Sequence, residues 1–326
     1  MAKMTMVQAI NLALRQEMET DDRVIVMGED VGVDGGVFRV TDGLHEQFGP
    51  ERALDTPLGE AGIVGMAIGM AVYGLRPVCE IQFSGFAYQN FHQIENHAAR
   101  LRWRSQGRYH VPMVMRAPYG GGVRALEHHS ESREAFWAHI PGLKMVIPSG
   151  PRNARALMVS AIRDPDPVVF YEAKALYRAF REEVPEAEET LPLGQSRMVR
   201  EGGDLTIIAY GAMIRPALEA AEMLKKERGI ETEVIDLLTI SPLDETLFVA
   251  SVRKTGHAMI VHEAPMSFGP GAEIVSRLVE KAFYYLEVPV ARVTGYDVVT
   301  PLFSREKHYI PDAGRIVRRA RRLLET

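Results

Sequence analysis

Asp55-Thr56-Pro57-Leu58-Gly59-Glu60-Ala61-Gly62 is the stretch on which the reading of this chain turns. It is a polar turn carrying proline and glycine, and it opens into Ala61–Leu75, a run of 15 residues without a charge. A membrane-spanning helix needs about 20 apolar residues, so this run predicts a buried helix of a globular protein. Glu60 stands at its entrance. The unpaired amides and the dipole of a helix N-terminus favour a carboxylate there, which is sufficient for an ordinary helix-start charge. The helix behind it carries no charge, however, and Gly62, Gly65 and Gly69 give it a smooth face for close packing. A carboxylate aimed into such a place needs a partner, and that points to a functional residue.

Outward from this turn, apolar runs and helical periodicity alternate. On the N-terminal side, Val7, Ile10, Leu14 and Met18 are spaced as one helix face, and Val24–Met27 predicts a buried strand closed by Gly28-Glu29-Asp30. On the other side, strands are expected at Val78–Phe83, Met113–Arg116, Met145–Ile147 and Val168–Tyr171, with a helix beginning after Pro151. A second alternating set follows, with strands at Leu205–Tyr210, Thr232–Asp236, Ala258–His262 and Val288–Val293 and a final helix to Leu324. The pattern predicts an α/β protein of two domains, each with a mostly parallel sheet flanked by helices. The expected boundaries are 1–185 for the first domain, 186–203 for a linker rich in proline, glutamate and glycine, and 204–326 for the second.

Composition agrees with two globular domains. The chain has 326 residues, 46% hydrophobic and 25% charged, with a net charge of −5. That excludes a disordered chain and a basic nucleic-acid binder. The single cysteine, Cys79, excludes an intrachain disulfide framework and a cysteine zinc cluster. No signal peptide is visible, so the cytoplasm of a bacterium or archaeon, or an organelle matrix, is expected, with no membrane partner.

Ligands of open parallel sheets bind beyond the carboxyl ends of the strands. The segments there are Glu29-Asp30, Leu58-Gly59-Glu60, Gln82–Phe86 and the Pro118–Ser130 loop, with Gly211 and Glu263 in the second domain. Gly120-Gly121-Gly122 is not a nucleotide P-loop, because no Gly-Lys-Ser/Thr follows. His128 and His129 beyond it read either as surface histidines or as one proton donor; adjacent side chains diverge in most backbones, which argues against a metal pair. Asp164 and Asp166 follow the helix end at Arg163 and read either as a proline-stopped terminus or, with its unpaired carbonyls, as ligands of a hard cation. Arg315, Arg318, Arg319 and Arg322 share one helical face, with Arg321 displaced.

Taken together, Gly28-Glu29-Asp30-Val31, Asp55–Glu60, Arg76–Phe83, His129-Ser130-Glu131-Ser132, Pro141-Gly142-Leu143-Lys144, Ala161-Ile162-Arg163-Asp164 and Ile207–Gly211 resemble one family over nearly the whole chain. It is the beta subunit of the thiamine-diphosphate-dependent decarboxylating component of 2-oxo acid dehydrogenase complexes. The resemblance implies a transketolase-like fold, with a pyrimidine-binding domain followed by a C-terminal domain. It implies that Glu60 hydrogen-bonds the cofactor's aminopyrimidine ring and promotes the tautomer that activates the cofactor for decarboxylation. Leu58, Gln82 and Phe86 match positions at the cofactor, Phe86 as the aromatic against the pyrimidine. His129, selected by register from both Gly120 and His139, matches the histidine of reductive acyl transfer to a lipoyl group. Carbonyls of Val111, Met113, Val114 and Ala161, with Asp164 and Asp166, match a potassium site.

The family's cofactor site also needs a Gly-Asp-Gly segment for magnesium and the diphosphate, and this chain has none. The resemblance therefore implies an alpha subunit that holds both, in an α2β2 heterotetramer that shares thiamine diphosphate. It also implies a lipoyl acyltransferase core as partner, docked on the C-terminal domain, where the arginine face lies. Glu80-Ile81-Gln82-Phe83, His129–Ser132 and Val293–Asp297 look more like the branched-chain 2-oxo acid members, with pyruvate as the alternative substrate. A non-catalytic scaffold that kept the fold is the competing reading from another class, and a self-sufficient transketolase-like enzyme a third. Glu60 and His129 argue against the scaffold; the missing diphosphate motif and the chain's length argue against the third.

Overall fold

The structure is a computed structural model describing residues 2–325. Its chain divides into two units. One comprises the residues up to Tyr119 with Phe136–Leu193, the other Gly120–Ala135 with the residues from Gly194 onward.

The first unit is built on parallel strands β2 (Val24–Gly28), β3 (Ala53–Asp55), β4 (Arg76–Glu80), β5 (Val114–Tyr119), β6 (Lys144–Val146) and β7 (Val168–Ala173), after a short β1 (Ala2–Met4). They pair in the order β6-β7-β5-β4-β2-β3. Every residue of β2, β5 and β7 is buried, as expected of strands covered on both faces. Helix Met6–Thr20 starts at a capping box between Thr5 and Gln8 and buries Val7, Ile10, Leu14 and Met18, the face its periodicity marks. It packs on helix Pro151–Arg163, whose first residue is the proline that signals it.

Helix Glu60–Val72 departs from expectation. It ends at Val72 rather than Leu75, and it is not buried all round. Ile63, Val64, Ala67, Ile68 and Ala71 face the core, while Gly62, Met66, Gly69 and Val72 are exposed. The four exposed residues recur at helical spacing, so one face of the helix lies open.

In the second unit, strands β9 (Arg197–Arg200), β10 (Leu205–Ala209), β11 (Thr232–Asp236), β13 (Ala258–Pro265) and β14 (Ala291–Gly295) form a sheet in the order β14-β13-β10-β11-β9; β12 (Thr239–Ser241) is a short strand that is not part of this sheet. All pairs in it are parallel except β11 with β9. The expected linker is thus partly structured: β9 arises within 186–203, and β8 (Glu182–Val184) pairs antiparallel with β1 just before it. Their short, charged sequences suit edge strands, which present no continuous apolar run. Among the described residues no helix is long and apolar enough to cross a membrane.

Candidate functional site

The segments singled out in the first unit leave three neighbouring strands. β2 delivers Glu29 and Asp30, β3 delivers Leu58 and Glu60, and β4 delivers Gln82 and Phe86. Local bonds hold their positions. Asp30, in the left-handed region at φ 59°, accepts a 3.0 Å hydrogen bond from Gln82 Nε2. The Asp55 carboxylate accepts from the amides of Gly32 at 2.6 Å and Val33 at 3.1 Å, which ties the β2 loop to the β3 turn. Phe86 lies edge-on to Phe83 at 5.9 Å, in a 3-10 turn (Ser84–Asn90) packed against helix Glu60–Val72.

Glu60 is the first residue of that helix and is only 6% exposed, yet its Oε2 has no hydrogen-bond partner. The buried hydroxyl of Thr56 is likewise unpartnered. A buried, unpaired acceptor costs free energy unless something else supplies the donor. Burial, with the Asp30 and Glu60 charges adding to it, raises the Glu29 pKa. Leu58 stands 73% exposed at the same turn. Chemically, this corner can receive an N–H of a flat heterocycle on Glu60 and offer it the apolar surfaces of Phe86 and Leu58. Glu29, Asp30 and Glu60 make direct contact with a diphosphate unfavourable here.

Behind this corner lies a group that the sequence reading passed over. Arg116 donates to Glu172 through Nε and Nη2 at 2.7 and 2.9 Å, and to Glu80 through Nη1 at 2.6 Å. Tyr177 Oη adds a 2.7 Å bond to Glu172. Burial works against the Arg116 charge, but Glu172 and then Glu80 outweigh it and raise its pKa. Burial also raises the Glu80 pKa, against the pull of Arg116. Glu80 and Arg116 sit directly opposite one another in the β4–β5 register, but sequence spacing carries no sign of that pairing.

In the second unit, the glycine run begins a loop, Gly120–Ala135, that carries both histidines. A 3-10 turn, Glu127–His129, brings the two rings together at 4.2 Å between centroids, so they do not diverge as expected. A tight turn rotates successive side chains by about 120°, less than a strand does. His128 Nδ1 also lies 3.7 Å from Glu127. Farther along the loop, Glu134 is fully buried; its Oε1 accepts the Tyr210 hydroxyl at 2.6 Å, and burial raises its pKa. Glu263, expected at a strand end, is buried there; Glu306, which the sequence did not mark, is buried beside the same loop.

The cation set is brought together at the end of helix Pro151–Arg163. Its carbonyls already have partners: Val168 N donates to Met113 O at 3.0 Å, Met113 N to Val111 O at 2.9 Å and Asp164 N to Ala161 O at 3.3 Å. Val114 lies in β5. Each carbonyl keeps a second lone pair. The carboxylates are engaged differently, Asp164 by Lys144 at 2.6 Å and Asp166 by Arg102 at 2.6 Å. The carboxylates thus have cationic partners already, and only the carbonyls keep acceptor capacity. Among the described residues, no cluster of three His, Cys, Asp or Glu side chains could bind a metal.

At the C-terminus, Arg315 does not share the outer face. It donates to the carbonyls of Thr294 and Tyr309, at 2.7 and 2.8 Å, and lies over the Tyr296 ring. Arg318, Arg319 and Arg322 are the exposed members.

Comparison with known proteins agrees with this architecture. Residues 2–179 match the transketolase pyrimidine-binding domain, and residues 194–316 match the transketolase C-terminal domain. The chain is 50% identical over 325 residues to the pyruvate dehydrogenase E1 component subunit beta of Staphylococcus epidermidis, covering 100% of both. It is 48% identical over 323 residues to the protein of that name from Acholeplasma laidlawii, covering 99% of this chain and 98% of that one. Among solved structures it resembles a split-gene transketolase, described as an inactive beta4 tetramer, with a TM-score of 0.81, 25% identity and 99% of each chain covered. The chain is therefore a member of the beta-subunit family of thiamine-diphosphate-dependent 2-oxo acid dehydrogenase E1 components, on the transketolase fold.

Proposed function

We propose that this chain is the catalytic beta subunit of a pyruvate dehydrogenase E1 component. Relatives at 48–50% identity over essentially the full length bear the pyruvate name, which favours pyruvate over the branched-chain substrate that the short sequence signatures suggest. The observation that carries the catalytic reading is the Glu60 oxygen, buried at a helix entrance and left without a partner. A scaffold has no reason to keep such a group.

Thiamine diphosphate, when bound, supplies the electron sink for decarboxylation. Glu60 would accept a hydrogen bond from its pyrimidine ring and control the proton there, with Phe86, Leu58 and Gln82 around it. The acidic character of this corner leaves the diphosphate and magnesium to an alpha subunit, in an α2β2 assembly. The open face of helix Glu60–Val72, with Gly62, Met66, Gly69 and Val72, is in keeping with coverage by another subunit. His129 would serve acyl transfer to the lipoyl group of an acyltransferase core, and Arg318, Arg319 and Arg322 would help dock that core. Potassium would be held by the Val111, Met113, Val114 and Ala161 carbonyls.

The test is reconstitution with the alpha subunit. Turnover of pyruvate should exceed that of 3-methyl-2-oxobutanoate; the reverse preference would restore the branched-chain reading. Glu60→Gln should assemble and lose about 10²–10⁴-fold in decarboxylation, the usual worth of a positioned acid–base group. Near-normal turnover would remove Glu60 from the mechanism. His129→Ala should impair lipoyl acylation more than decarboxylation followed with an artificial oxidant. If His128→Ala gives the selective loss instead, the neighbouring ring has the role.

A further inference from the structure

The run Gly120-Gly121-Gly122 looks like an anion-binding loop, and its anions belong to the protein itself. Gly120, Gly122 and Arg124 have φ of 77°, 90° and 56°, alternating with residues outside the left-handed region. Such alternation turns successive amides toward one side and makes a concavity for negative charge. Two buried carboxylates from distant parts of the second unit fill it. Gly121 N donates to Glu263 Oε1 by a short bond. Glu306 spans two residues, accepting from Gly122 N at 2.9 Å on one oxygen and from Arg124 N at 3.2 Å on the other.

Glu263 and Glu306 are each 5% exposed. Amide donors aimed at an ionised carboxylate form charge-assisted bonds, about twice as strong as neutral ones. The glycines follow from this contact. A Cβ on Gly120 would lie 3.0 Å from Glu263 Oε2, and one on Gly121 would lie 2.8 Å from Glu306 Oε1. The loop is closed at its far side as well, because Gly120 N donates to Glu131 O at 3.0 Å. His128 and His129 therefore ride on a loop whose base is held by Glu263, Glu306 and its own closing bond. The exposed stretch Gly122–Arg124 between those anchors has little packing of its own.

We infer that Glu263 and Glu306 form a two-carboxylate clamp on the glycine loop and are positioning residues for the histidine it carries. The inference rests on the acyl-transfer reading of His129. In this arrangement neither glutamate touches a substrate; both act through the backbone of residues 121–124.

The experiment uses the enzyme assembled with its alpha subunit. Glu306→Ala removes both acceptors, and Glu306→Gln keeps only one. Hydrogen–deuterium exchange of segment 120–131 should accelerate about tenfold in Glu306→Ala and less in Glu306→Gln, since a charge-assisted bond is worth at least one such factor. Lipoyl acylation should fall by a similar factor while decarboxylation with an artificial oxidant stays within about twofold. Gly121→Ala, which leaves both carboxylates in place but blocks their approach, should show the same split. In a His129→Ala background, Glu306→Ala should cost nothing further. Unchanged exchange in the loop overturns the clamp. Equal loss of both activities, or full additivity with His129→Ala, overturns the positioning role. Should His129→Ala by itself spare acyl transfer, the histidine reading has failed, and the exchange measurement still decides the clamp.

Discussion

At the carboxyl ends of one parallel sheet, buried carboxylates are treated in two opposite ways. Glu80 and Glu172 flank Arg116, and Tyr177 completes the group; every member is bonded to another at 2.6–2.9 Å. Glu60, on the turn after a neighbouring strand, is nearly as buried and has an oxygen bonded to nothing. The first arrangement is complete without a ligand. The second is incomplete until a donor arrives. Burial alone therefore does not mark a site in this protein. What marks the proposed site is a buried carboxylate oxygen whose partner the chain does not supply, on the turn that carries the exposed Leu58.

The contrast predicts effects of graded size on stability. The largest follows removal of the shared cation. Arg116→Met leaves two carboxylates buried without compensation and should cost about 3–5 kcal/mol in denaturant unfolding, if the variant folds at all. A loss below about 1 kcal/mol would mean that the group is more open to water than its burial implies.

His262 comes next and tests whether an orphan atom is enough to define a site. It is fully buried, its Nε2 has no partner, and burial lowers its pKa to about 4 from 6.5. Gly271 packs against it so closely that a Cβ there would lie 2.6 Å from Nε2. A depressed pKa means that the neutral ring's contribution is complete above pH 6.5 and is lost as pH falls toward 4. The loss should be of the order of 3 kcal/mol, and His262→Gln should flatten that part of the stability–pH curve. An unchanged curve would show that the ring already finds a proton acceptor in the folded state. A sealed neutral ring is then structural, in contrast to the role proposed for Glu60.

Glu60→Gln should change stability by less than about 1 kcal/mol, in either direction, because the amide keeps the shape and relieves an unpartnered charge. A substitution expected to cost orders of magnitude in turnover would thus barely move unfolding. A loss as large as that of Arg116→Met would place Glu60 among the structural carboxylates. The smallest effect belongs to charges that are not buried. Replacing Arg318, Arg319 and Arg322 by Gln should leave stability and decarboxylation unchanged within measurement. It should weaken association with the acyltransferase, most visibly at low ionic strength. Unchanged affinity and salt dependence would make these arginines a solvated surface.

Much of this was legible beforehand, for identifiable reasons. Val24–Met27 and Val168–Tyr171 are uninterrupted apolar runs rich in β-branched residues, the pattern of strands covered on both faces. Val7, Ile10, Leu14 and Met18 repeat with the helical period, and all four are buried. The Glu60 turn was visible because one carboxylate precedes a helix without charges. Other features left no local trace. The Arg116 group joins residues on three strands, 36 and 56 positions apart, so no window of sequence contains it. Glu306 meets the glycine loop across 184 positions. β9 forms within a stretch whose proline and glycine content suggested a linker, because an edge strand needs only one paired side.

The sequence by itself determined the alternation of strands and helices, the two-domain α/β class, the family, and the lack of a Gly-Asp-Gly segment for a diphosphate. These depend on periodicity, on composition and on motifs that are contiguous in the chain. Only the tertiary structure decided which buried charges are satisfied, that one face of helix Glu60–Val72 stays open, that Arg315 folds inward, and that the triple glycine receives carboxylates rather than phosphate. Those properties depend on which groups meet across long separations. Whether a donor finds its acceptor is a matter of distances of about 3 Å, and chain order does not encode them.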